Sequence, residues 1–329
     1  MKVLNGPEIT PGSASHKIFK RGAAVTIGNF DGVHLGHREI IARLRNKASE
    51  LGLPAVVMTF DPHPRKVLSS SPESINLILD FRTKCRLFES LGIDVVVKEE
   101  FSREFASQSP REFIDRRLMR LNPRAIVVGY DFNFGRGGAG SVEMLEEEGR
   151  KRNFTVETVE AFHVDGVIVS SSRIRNLIEG GEVAMAERML GRPYSVFGHV
   201  IKGHGRGRRL GFPTANIDIS TVLLPCDGVY AGEVIVKNRV LPAMVNIGTN
   251  PTFGDIARTL EACILHFHED IYGIEVEVRF RERIRSEIKF SGPEQLVEQI
   301  KHDQRTIERF FQTHGTSSKP GGSSSCAAS

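Results

Sequence analysis

Between residues 23 and 190 the chain alternates short apolar runs with helix-length amphipathic segments, the pattern of βα units around a parallel sheet. The runs at 23–27, 55–59, 93–97, 125–128 and 154–159 are predicted strands. Between the first two, Ile40, Ile41, Leu44, Ala48 and Leu51 fall on one helical face, with Arg38, Arg43, Arg45 and Lys47 mostly off it. A parallel sheet binds ligands at the carboxyl ends of its strands, so the loops after Ile27, Thr59 and Val128 are where chemistry is expected.

The pattern changes at Gly191-Arg192-Pro193, a predicted linker. Beyond it, runs rich in β-branched residues at 196–201, 228–236, 241–247, 260–267 and 274–280 are separated by turns rather than helices. They predict an antiparallel barrel or sandwich. A terminal helix follows, because Leu296, Ile300, Asp303, Ile307 and Phe310 keep helical spacing and only Asp303 breaks the apolar face. The expected division is 17–190, a linker at 191–195, 196–312, and a flexible polar tail at 313–329.

Composition changes this picture little. A length of 329 residues suits two domains, and 44 Lys and Arg against 40 Asp and Glu leave a net charge of +4. So small an excess speaks against a dedicated nucleic-acid binder, and it does not separate the halves, with +2 in residues 1–190 and +2 in 191–329. Four dispersed cysteines with no CxxC pair suggest neither zinc nor disulfides, and reduced thiols fit a cytosolic protein. No segment reads as a signal peptide or membrane span.

Three loops of the first half carry candidate chemistry. In GNFDGVHLGH, residues 28–37, Gly28 and Gly32 permit a sharp turn into a helix whose N-terminal N–H groups suit a phosphate. His34 and His37 project from one face of that helix if it begins near Val33, placed to donate hydrogen bonds to a phosphate in its transition state. A metal pair and plain helix caps are the alternatives. In VVGYDFNFGRGGAG, Asp131 and Asn133 alternate with Phe132 and Phe134, so polar contacts to ribose or phosphate could sit above packed rings. In VSSSRIRNLI, the serines can cap a helix, and Arg173 and Arg175 add an anion pocket. Asp61 of TFDPHP either binds a metal or holds a stiff turn.

The second half opens with KGHGRGRR, residues 202–209, four basic residues and no acid. The LGFPTANI segment follows at once, with Thr214 and Asn216 offering oxygen ligands two residues apart. Glycine backbone beside hard oxygen donors suits a magnesium nucleotide, whereas RNA binding would want aromatic platforms and only Phe212 is at hand. Glu261, read alone, is an ordinary strand glutamate.

GNFDGVHLGH, TFDPHP, VGYDFNFG and SSSRIR, in this order, closely resemble the nucleotidyltransferase module of prokaryotic bifunctional riboflavin kinase/FAD synthetases. The basic glycine loop, GFPTAN, GVYAG, PAMVNIGTNPTFG, LEACILHF and DIYG resemble the kinase module. The resemblance implies an α/β protein: a Rossmann-like N-terminal nucleotidyltransferase domain with a parallel sheet, then an antiparallel β-barrel kinase domain with a terminal helix. It implies ATP-dependent phosphorylation of riboflavin to FMN by the second module and adenylylation of FMN to FAD by the first, with Mg²⁺ as cofactor. The small molecules riboflavin, FMN and ATP are the expected partners, with no nucleic acid and no membrane, and a weak homo-oligomer is left open.

By the same resemblance His34, His37 and Glu261 are catalytic, Glu261 as base for the riboflavin 5′-hydroxyl. Gly28, Asn29, Phe30, Gly36, Asp131, Asn133, Ser171, Ser172, Arg173 and Arg175 bind ATP or phosphate at the first site. Gly203, Gly205, Gly207, Gly211, Pro213, Thr214 and Asn216 bind ATP or flavin at the second, with Thr214 and Asn216 on the metal. SSSRIR replaces the usual SSTxIR and keeps the hydroxyl. Around Glu261 the family pattern E-V-H-L-L-D-F becomes E-A-C-I-L-H-F, so Cys263 and His266 stand where His and Asp are usual. The rival readings are a protein with one active module, or a flavin- or RNA-binding regulator that keeps the folds. Intact His34, His37, Thr214, Asn216 and Glu261 speak against the regulator.

Overall fold

The computed structural model describes residues 1–317 apart from 11, 72–74, 204, 206, 208–209, 220–221 and 253–254, and apart from the side chains of 250–252 and 255–257. The chain divides into two compact units, residues 1–171 and 172–329.

The first unit is built on a six-stranded sheet in which every pairing is parallel. Its strands are β1 (Lys2–Asn5), β2 (Ala23–Ile27), β3 (Ala55–Phe60), β4 (Val95–Glu99), β5 (Pro123–Gly129) and β6 (Thr155–Val159), in the order β1-β4-β3-β2-β5-β6. Every residue of β2 is buried, as an apolar run covered on both faces requires. The order runs one way from β2 through β3 to β4 and the other way through β5 to β6. The carboxyl end of β2 is therefore the switch point, where an open α/β sheet leaves a crevice. The loops after β2 and β5 flank it. The helix Leu35–Leu51 buries Ile41, Leu44 and Ala48 and ends at Gly52, whose φ of 61° is the left-handed cap a glycine accepts.

The second unit is a closed barrel of β9 (Tyr194–Ile201), β10 (Ala215–Asp218), β11 (Gly228–Val236), β12 (Arg239–Thr252), β13 (Asp255–Ile264) and β14 (Glu275–Arg285), ordered β10-β13-β12-β11-β14-β9; a short hairpin of β7 (His163–Val164) and β8 (Val167–Ile168) precedes it in the chain. All its pairings are antiparallel, and β9 meets β10 to close it, which settles the choice between barrel and sandwich. Closure removes the exposed edges a sandwich would leave. Tyr194 and Ser195, predicted as linker, already pair in β9 with Phe280 and Arg279. The helix Val183–Leu190 buries Val183, Ala186, Met189 and Leu190 and packs on β9 and β14.

The terminal helix Pro293–His314 lies on β11, β12 and β14. The face-breaking Asp303 is only 1% exposed: its Oδ2 accepts from Arg285 Nε at 2.9 Å and its Oδ1 from Gln299 Nε2 at 2.8 Å. The polar residue in the stripe is thus a buried ion pair joining helix to barrel. Asp303→Ala strands the Arg285 charge against the helix and is expected to lower unfolding free energy by about 3 kcal/mol, read from urea denaturation of the full chain.

Candidate active sites

At the switch point the loop from Gly28 to His34 turns the chain from β2 into its helix. Gly28 is needed for space: an added Cβ would lie 3.1 Å from the Phe30 ring. Phe30 and Val33, at φ of 50° and 41°, occupy the left-handed region that non-glycine residues avoid, and both are buried. Such strain persists only where surroundings impose it. Here they do: Asp31 Oδ1 accepts from the Ile78 and Leu79 N–H groups at 3.0 and 3.3 Å, and the Asp31 carbonyl accepts from Ser171 Oγ at 2.7 Å.

His34 is the N-cap of the helix, which begins one residue later at Leu35, and its Nδ1 accepts from the His37 N–H at 3.3 Å. The cap is compatible with the phosphate reading, because an accepting Nδ1 puts the ring proton on Nε2, where it is a donor. The His34 and His37 rings stack with centroids 3.5 Å apart and planes 17° apart. Gly36 lies against the His34 ring, which a Cβ there would meet at an ordinary contact distance of 3.4 Å. Two imidazoles and the helix N-terminus thus converge at the end of β2.

After β5, Asp131 and Asn133 are exposed, and Asn133 Nδ2 donates to the Asp131 carbonyl at 2.7 Å. Phe132 stacks on Phe134, which is buried against Phe113 at 5.5 Å. In this loop exposed polar residues thus alternate with packed rings. Ser172, Arg173 and Arg175 follow Ser171 on the helix Ser171–Glu179, whose buried face is Ile174, Arg175 and Ile178. His63 caps the short helix after β3 by accepting from the Arg65 N–H at 3.1 Å.

In the barrel, β10 and β13 bring the second set together. Asn216 and Glu261 are register partners, Glu261 faces Asn246 of β12 in the next pairing, and Thr214 Oγ1 donates to Glu261 Oε2 at 3.3 Å. Two of the glycines before β10, Gly203 and Gly207, make way for their neighbours, whereas Gly205 and Gly211 face open space at φ of 65° and 89°. A Cβ at Gly203 would run into the Asn216 amide, and one at Gly207 into the Phe212 carbonyl, with Thr214 Oγ1 at 3.1 Å. Arg206, Arg208 and Arg209 of the basic run lie outside the described residues, as does His204.

A cleft of about 460 Å³ opens beside them, lined by Thr214 and Asn216 from the start of β10 and by Phe267, His268, Asp270 and Tyr272 from the segment after β13. Glu261 does not line it; Thr214 links the cleft to the carboxylate. The segment after β13 is not predicted by the strand pattern, which extends to Phe267. β13 ends at Ile264, and His266 at φ 55° turns the chain into the segment that carries these lining residues. Among the described residues no cluster of three or more His, Cys, Asp or Glu could hold a metal by itself. Thr214 and Asn216 offer instead the few hard oxygens that Mg²⁺ takes from a protein.

The two departures near Glu261 have separate explanations. Cys263 is buried in the apolar cluster with Met244, Leu265 and Ile307, and burial pushes its thiol pKa up. It is expected to resist alkylation by iodoacetamide at neutral pH until the chain unfolds, because the thiolate is the reactive form. Mass spectrometry of the native and denatured protein checks this. The His266 side chain is exposed, with Nε2 3.6 Å from Glu308 Oε1.

Residues 16–173 match the FAD synthetase family and residues 190–311 the riboflavin kinase family. The bifunctional riboflavin kinase/FMN adenylyltransferase of Haemophilus influenzae is 39% identical over 88% of this chain and 95% of its own. The chain belongs to the bifunctional riboflavin kinase/FMN adenylyltransferase family. The Bacillus subtilis member is 37% identical over 90% of this chain and 96% of its own. A solved structure titled a macrolide-efflux protein, from Streptococcus pneumoniae, shares this fold with a TM-score of 0.84, 31% identity and coverage of 94% of this chain and 99% of that one. No helix among the described residues is long and apolar enough to cross a membrane.

Proposed function

We propose that the protein makes FAD from riboflavin in two steps, each at its own site. In the barrel, riboflavin and ATP give FMN and ADP. At the switch point of the sheet, FMN and ATP give FAD and pyrophosphate. The observation that carries this reading is the presence of both constellations in one chain whose two halves match the two enzyme families.

For phosphorylation, Glu261 takes the proton of the riboflavin 5′-hydroxyl as its oxygen attacks the γ-phosphorus of ATP. Thr214 and Asn216 would hold Mg²⁺, which when bound neutralises phosphate charge. Phe267 and Tyr272 supply apolar walls for the nucleotide in the cleft, and Gly203, Gly205 and Gly207 allow its close approach. For adenylyl transfer, an FMN phosphate oxygen attacks the α-phosphorus of ATP directly, with no covalent enzyme intermediate. The His34 Nε2–H and the His37 ring donate to phosphate oxygens as charge shifts towards the leaving pyrophosphate. Asp131 and Asn133 contact the nucleotide from the loop after β5, and Arg173 and Arg175 add positive charge from the helix that begins at Ser171.

Incubation with riboflavin, ATP and Mg²⁺ followed by chromatography of the flavins is expected to show FMN rising first and FAD after it. FMN without FAD would leave a kinase only, and unchanged riboflavin would overturn the reading. Chelation of Mg²⁺ with EDTA is expected to stop both steps, and excess Mg²⁺ to restore them.

A further inference from the structure

The helix Phe81–Ser90 carries a lysine that no step above uses. Lys84 is 4% exposed, and its Nζ donates to the Asn29 carbonyl at 2.8 Å. Thr59 Oγ1 donates to the same oxygen at 3.4 Å. A buried ammonium is costly, and burial lowers the Lys84 pKa despite the opposing pull of Asp31, Asp61, Cys85 and Asp80. A methionine or leucine would fill the space without that penalty.

What this charge holds is one peptide plane. The Asn29 carbonyl and the Phe30 N–H lie in it and point opposite ways. Phe30 stands at φ 50°, where a side chain larger than glycine is strained. Half a turn of the plane changes ψ of Asn29 and φ of Phe30 together, and would carry Phe30 to about −130°, in the open β region. Relaxation thus requires the Asn29 carbonyl to leave Lys84. The Phe30 ring in turn meets the His37 ring edge-on at 5.1 Å, and His37 stacks on His34.

We propose that Lys84 is a positioning residue for adenylyl transfer: its buried ammonium latches the Asn29–Phe30 peptide in its strained setting, and so holds Phe30, His37 and His34 in place for the phosphate. This rests on the assignment of FMN adenylylation to the first site. The latch acts through the backbone, and its loss moves the donors away from the transition state more than it weakens substrate binding.

Riboflavin phosphorylation in the same full-length chain serves as the internal control. Lys84→Met is expected to lower kcat for FAD formation about 100-fold with KM for ATP and FMN within about threefold. The imidazole NMR signals of His34 and His37 are expected to shift, and riboflavin phosphorylation to stay unchanged. Lys84→Arg restores a charged donor and is expected to recover most of the rate. It is also expected to hold that rate at alkaline pH, where the wild type falls as Lys84 loses its proton; Asp31 and Asp61 face this group from the loops after β2 and β3, and Asp80 and Cys85 from its own helix. Wild-type protein that forms no FAD from FMN and ATP takes the underlying assignment with it. Wild-type FAD formation with Lys84→Met equally fast, or slowed through KM alone, overturns the latch by itself. Should Lys84→Met fail to fold, the Lys84→Arg profile decides, and one superimposable on the wild type overturns the proposal.

Discussion

Glu261→Ala is expected to lower kcat for riboflavin phosphorylation by roughly 10³, while FAD formation from supplied FMN continues at the wild-type rate. The carboxylate sits on β13, opposite Asn216 and hydrogen-bonded by Thr214, so it adjoins two of the residues that line the cleft. Its removal leaves the 5′-hydroxyl without a proton acceptor and Thr214 without a partner. Glu261→Gln separates these two losses. Its amide oxygen still accepts from Thr214 but takes no proton at neutral pH, so a base role makes Gln as slow as Ala. Recovery of rate with Gln would reduce Glu261 to a support for Thr214. Loss of both activities in a folded Ala variant would remove the two-site assignment.

The fold was legible wherever burial is continuous or strictly periodic. β2 and β11 are buried along their whole length, and the apolar runs at 23–27 and 228–236 coincide with them. β1 was not legible: Lys2–Asn5 is four residues, mostly exposed, and its partner β4 lies some ninety residues away in the chain. β10 escaped for a similar reason, since only Ile217 of its four residues is buried. β14 runs past Phe280 through Arg281 and Arg285 because those charges are met by partners from other elements. Arg281 Nη1 donates to the buried Glu233 at 2.9 Å, and Arg285 bonds Asp303. A hydropathy pattern counts such residues as polar and ends the strand early.

The sites show the same division. Motif spacing brought out His34, His37, Thr214 and Asn216 because each lies within a few residues of a glycine turn at a strand end. The pairing of Thr214 with Glu261 joins residues 47 apart through the register of β10 and β13, and no local pattern contains it. Lys84 was hidden differently. No motif contains it, and only the fold shows that it is buried on the helix Phe81–Ser90 against the Asn29 carbonyl.

His34→Ala is expected to lower FAD formation from FMN by roughly 10²–10³ and to leave riboflavin phosphorylation intact. The substitution removes two things at once. One is the N-cap, in which Nδ1 accepts from the His37 N–H at 3.3 Å; losing a cap costs about 1 kcal/mol. The other is the Nε2–H donor that, under the proposed function, meets phosphate. His34→Asn distinguishes them, because an asparagine caps a helix well but its short amide does not reach where the far edge of an imidazole does. Stability regained without rate assigns the loss to the donor. Rate regained together with stability would mean that His34 only ends a helix, and the phosphate contacts at the switch point would then fall to His37 and the backbone N–H groups alone.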